Sequence, residues 1–138
     1  MNSPEADPLD NAFLVKADDL TIYHGGDYGP LGGIEKITSF YDRDMRFLKE
    51  NANDLDIMFL AGRLIQGKVP KYINFSIETA GPRVLFPMHY QSSEYLFREL
   101  ADEIAKSGTR TTIVPPEDRG DFYIYRREKL NTESMSCR

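Results

Sequence analysis

The sequence has one cysteine, Cys137, beside its C-terminus, so no disulfide framework can form within the chain. No apolar run approaches the roughly 18 residues needed to cross a bilayer. The opening MNSPEADPLDNAF has neither a basic end nor an apolar stretch and does not read as a signal peptide. Basic residues are outnumbered, 17 Lys and Arg against 22 Asp and Glu, and the net charge of -5 argues against nonspecific binding to nucleic acid, whose phosphates reward basic surfaces. These absences lead us to expect a cytoplasmic protein with no membrane and no nucleic-acid partner. Histidine is also scarce: His24 and His89 are the only two.

What remains is ordinary for a globular protein. The 138 residues suit one domain, and 41% hydrophobic with 28% charged residues excludes general disorder. Residues 1–10 carry two prolines and three acids with little to bury and are expected to be a flexible lead-in. A domain is expected over 11–127, with a flexible tail over 128–138.

Two apolar runs, Ala12–Val15 and Leu20–Tyr23, are separated by Lys16-Ala17-Asp18-Asp19 and predict a hairpin. Ile37, Tyr41, Met45 and Leu48 recur near a helical period with Phe40 and Phe47 flanking them, and Ser39 stands three before Asp42, so a helix is expected over 39–50. Asp56–Ala61 is a continuous apolar run after a leading acid, typical of a buried strand. Residues 62–72 read as loop, Ser76–Ala80 as a short helix stopped by Gly81-Pro82, and Val84–Phe86 as a strand terminated by Pro87-Met88-His89-Tyr90. A helix over about 93–106 follows, then strands at Thr111–Val114 and Phe122–Tyr125. Alternating strands and helices predict a layered α/β architecture. The acids Asp54 and Asp56 read as a solvated strand entry.

The segment LTIYHGGDYG, residues 20–29, ends a strand in a glycine turn that delivers Asp27. The full run G-G-D-Y-G-P-L-G-G lacks the G-x-G-x-x-G spacing of a dinucleotide loop and the Lys-Ser or Lys-Thr of a P-loop, and its central carboxylate would repel phosphate. Asp27 lies just past one strand and His89 just past another, where α/β folds place binding residues. Carboxylate and imidazole are both zinc ligands, so the two could converge on one cation, with glycines leaving room beside them. The alternative is plain: an aspartate capping a turn and a histidine satisfied as an ordinary polar residue.

The segments NAFLVKADDLTIYHGGDYG, DLDIMFLAG and GPRVLFPMHYQSSEYLFRELADEIAKSG resemble the C-terminal half of a metallo-β-lactamase-fold hydrolase, in particular the ascorbate-6-phosphate-lactonase-like branch, over about residues 11–127. The resemblance implies half of an αββα sandwich: one mixed sheet with helices on one face, the other face covered by a partner. It implies that Asp27 matches a carboxylate bridging two metal ions and His89 a later metal-binding histidine, with His24 a third candidate or a supporting residue. Tyr28 and Tyr90 would be candidates to line the pocket. The implied cofactor is a divalent metal, zinc or manganese.

Such hydrolases draw further ligands from a His-x-His-x-Asp-His motif, and this chain has no such motif. A catalytic zinc generally takes three protein ligands plus water. The isolated chain is therefore expected to bind metal weakly or not at all and to be inactive. Two readings follow. One is part of a hydrolase of a lactone, ester or phosphoester, acting on a small-molecule substrate when completed by a second copy or a separate N-terminal half. The other is an inactive truncated homologue serving assembly or regulation.

Overall fold

A computed structural model of the chain describes residues 11–27, 36–89 and 95–127. The element order is β1 (Phe13–Ala17), β2 (Leu20–His24), α1 (Ser39–Asn51), β3 (Ile57–Ala61), α2 (Lys71–Ala80), β4 (Val84–Met88), α3 (Tyr95–Ala105) and β5 (Thr112–Ile113). These strands form one mixed sheet in the order β1-β2-β3-β4-β5. β1 and β2 make the antiparallel hairpin expected, with Phe13 opposite His24 and Asp18 turning in the left-handed region at φ 52°. The pairs β2–β3, β3–β4 and β4–β5 are parallel.

Strand order and chain order coincide, so every crossover advances in one direction. Right-handed crossovers then deliver all three helices to the same face of the sheet. There Tyr23, Met58, Leu60 and Leu85 pack with Tyr41, Met45 and Leu48 of α1, Ile73 and Ile77 of α2, and Leu100 and Ile104 of α3. Each such side chain contributes about 1.5–3 kcal/mol on burial. Tyr41 donates to Ser76 Oγ at 2.7 Å, and Ser76 donates to the Tyr72 carbonyl at 2.7 Å, so the hydroxyls buried between α1 and α2 are satisfied.

Several expectations need correction. The cap of α1 is Thr38, not Ser39: its Oγ1 accepts the Tyr41 N–H at 3.2 Å. Phe47, expected to flank a buried stripe, is 61% exposed. Helix α2 starts five residues before Ser76, because the Ile73–Ile77 pair at helical spacing buries its first turn. It ends as expected at Gly81, whose φ of 58° and ψ of 48° form a left-handed cap. Strand β4 continues through Pro87 to Met88. Residues 83 and 85 offer their carbonyls to Thr112 and Val114, so position 87 faces the same side, beyond the end of β5, and no ladder partner misses its N–H.

The expected last strand, Phe122–Tyr125, has no ladder partner among the described residues. Side chains anchor it instead. Asp121 Oδ2 accepts the Glu117 and Asp118 N–H groups at 2.9 Å each and turns the chain after Pro115-Pro116. Tyr123 then rests on Phe86 with ring centroids 5.4 Å apart, and Tyr125 and Arg127 reach the opposite sheet edge at Asp56.

Asp56 is no solvated acid, since its side chain is wholly buried. Its oxygens accept the Thr21 N–H at 2.9 Å, the Tyr125 hydroxyl at 2.8 Å, and Arg127 Nε at 2.8 Å together with Arg127 Nη2. Arg83 bonds Asp54 at 2.8 Å beside it. Burial alone would raise the Asp56 carboxyl, but the hydrogen bonds from Arg127, the Thr21 N–H and Tyr125, with the Arg127 charge, hold it below the usual carboxylate value. A carboxyl lowered in the folded state contributes stability that is complete above the unfolded value, about 4, and is lost as pH falls through the folded one. We expect Asp56→Asn to lower stability at pH 7 by about 2–3 kcal/mol. It should also flatten the loss of stability between pH 5 and pH 3; urea unfolding across that range reads both effects.

Candidate functional site

Because β2, β3 and β4 run parallel, their C-terminal ends share one edge of the sheet, the edge at which open α/β sheets bind ligands. Hydrogen bonds continue past the strands there: the Gly25 N–H donates to the Phe59 carbonyl at 2.9 Å and the Gly62 N–H to the Met88 carbonyl at 3.2 Å. The three ends are thereby held together.

Asp27 and His89 meet at this edge. His89 Nδ1 lies 3.1 Å from Asp27 Oδ1, although β3 separates the strands from which they come. Two strand spacings amount to about 9.6 Å, so both turns must lean inward, and the backbone shows how. Gly26 adopts φ 57°, and a Cβ there would stand 2.9 Å from the Asn11 carbonyl oxygen, so both conformation and space call for glycine. His89 itself takes φ 80°, a rare conformation for a residue with a Cβ and one that concentrates at functional sites. Both side chains stay open to solvent, 72% for Asp27 and 60% for His89.

His24 is placed differently. Its Nδ1 accepts the Gly26 N–H at 3.1 Å, and its ring lies 5.5 Å from that of Phe59. One nitrogen is thus committed to the turn that presents Asp27, while the ring packs on the sheet. Among the described residues no third His, Cys, Asp or Glu joins a group that could hold a metal. Tyr28 and Tyr90 lie outside the described residues.

The donors fit a divalent cation in kind and spacing. Two ligands on a tetrahedral ion at about 2.0 Å stand about 3.3 Å apart, close to the 3.1 Å found between Asp27 and His89. They do not fit in number, since two donors fall short of the three protein ligands of a catalytic zinc.

On the sheet face away from the helices, Phe13, His24, Phe59 and Phe86 stand in one row across four strands, with Val15, Ile22, Ile57 and Val84 in the next. Phe59 and Phe86 stack at 5.1 Å. Phe13 and Val15 are 59% and 47% exposed at the hairpin end of this face, while the segment from Pro116 to Tyr125 lies over β3 and β4 and leaves a groove of about 400 Å³ beneath it. In the sequence the only sign of this groove is the apolar and aromatic run Phe122–Tyr125, whose composition predicts a strand.

No protein-family model matches the chain. Two curated proteins are similar to it. One from Caldivirga maquilingensis, named a UPF0173 metal-dependent hydrolase, is 25% identical over 112 residues, covering 77% of this chain and 44% of that protein. One from Thermofilum pendens with the same name is 27% identical over 114 residues, covering 81% of this chain and 44% of that protein. The chain spans less than half the length of these relatives. Along most of its length it is therefore similar to part of proteins named metal-dependent hydrolases.

Proposed function

We propose that this chain is the part of a metal-dependent hydrolase that presents Asp27 and His89 as two ligands of a divalent cation, zinc or manganese. The observation that carries the reading is the approach of these two side chains from separate strand ends, in a chain similar to proteins so named. A divalent cation, when bound, supplies acidified water and polarises the bond to be cleaved. The residues of this chain do the holding. Gly26 lets the turn bend, and His24 Nδ1 secures the Gly26 N–H, so that Asp27 faces the edge. His89 would offer Nδ1, the atom that lies 3.1 Å from the Asp27 carboxylate.

The remaining donors belong to another polypeptide, either a second copy of this chain or a separate N-terminal half, seated on the exposed hairpin end of the open sheet face. Apolar patches of this kind mark interaction surfaces. We place the substrate among lactones, esters and phosphoesters. The branch resembling ascorbate-6-phosphate lactonases is the narrowest form of the proposal. An inactive module is the second reading, favoured by the shortage of donors among the described residues.

Titration calorimetry with Zn²⁺ or Mn²⁺ should give weak binding to the chain alone, reduced about tenfold or more by Asp27→Ala or His89→Ala. Tight binding that survives the double substitution would sink the assignment. Size-exclusion chromatography with light scattering should show self-association or aggregation relieved by Phe13→Lys, whereas a stable monodisperse monomer counts against a partner on the open face.

A further inference from the structure

The groove over β3 and β4 has a chemistry of its own. Its floor includes Phe59, Phe86 and Met88, and its outer wall includes Phe122 and Tyr123, with Asp121 as the carboxylate in the lining. Its volume of about 400 Å³ falls within the range of small-molecule pockets, and a largely apolar lining with few placed polar groups is their usual composition. Among the described residues no lysine or arginine lines it, so nothing there compensates an anion.

Asp121 is held in one orientation. Oδ2 accepts the N–H groups of Glu117 and Asp118 at 2.9 Å and faces the Tyr123 hydroxyl at 3.5 Å, while Oδ1 carries no hydrogen bond among the described residues. The two backbone donors also keep the carboxyl below its ordinary value, so it stays charged near neutrality. A fixed carboxylate beside aromatic walls suits an organic cation, which both the charge and the ring quadrupoles attract. The groove also adjoins the candidate metal edge, since Met88 directly precedes His89 and Phe59 packs against His24.

We propose that this groove binds an arylalkyl ammonium group, its ring against Phe86 and Phe122 and its cation at Asp121. As the subsite for one end of a hydrolysable substrate it rests on the reading of Asp27 and His89 given above; as a binding site it does not. Phenethylammonium and 3-phenylpropionate are close in shape and opposite in charge, and each can be titrated into the metal-free, ¹⁵N-labelled full chain and followed by amide shifts. Phenethylammonium should shift Phe86, Met88 and residues 121–123, with an affinity about fivefold above that of the carboxylate. Asp121→Asn, which keeps an oxygen for the two backbone donors, should bring the two affinities together. Phe122→Ala, at a position 83% exposed and so harmless to folding, should weaken both. Equal affinity in the parent chain, or shifts away from the groove, overturns the proposal. The same titration on Asp27→Ala keeps the two readings apart: binding should persist there even when metal binding is lost.

Discussion

The coincidence of chain order and strand order governs this molecule. With β2, β3, β4 and β5 laid side by side in sequence, right-handed crossovers leave no choice of face, and all three helices collect on one side. One face becomes the interior, built around Met58, Leu60 and Leu85. The other keeps the row from Phe13 to Phe86, partly roofed by a segment without a ladder partner among the described residues. The same parallel order brings the turns after β2 and β4 to a common edge, which makes the meeting of Asp27 and His89 possible.

Asp56 ties the roof to this framework. A buried carboxylate is costly unless its oxygens are satisfied, and here Thr21, Tyr125 and Arg127 all donate to it. The two side-chain donors come from the roofing segment, so the need of one acid at the entry of β3 fixes the path of residues some seventy positions later. The extended segment runs between Asp121, which turns it, and Asp56, which receives it. The groove exists because these anchors stand at its ends while Tyr123 props against Phe86.

At the opposite edge the constraints are looser. Asp27 and His89 are exposed, they approach through turns with positive φ at Gly26 and His89, and no third donor accompanies them among the described residues. A positive φ at a residue with a Cβ, beside an exposed carboxylate, is the local geometry on which the proposed metal site rests.

Much was legible from residue order alone. The hairpin, the helices at the α1 and α3 positions, the buried runs of β3 and β4, and the Gly81 stop follow from local periodicity and turn chemistry, which operate within a few residues. Asp27 and His89 could be nominated because each follows a strand end. What only the folded chain decided depends on distant partners. Asp56 looked like a solvated acid because nothing adjacent reveals Arg127. Phe122–Tyr125 has strand composition, but a ladder needs a neighbouring edge, and past Ile113 the chain leaves the sheet at Pro115-Pro116. The 3.1 Å approach of the candidate ligands likewise required three strands in register, a relation between segments that no single stretch of sequence contains.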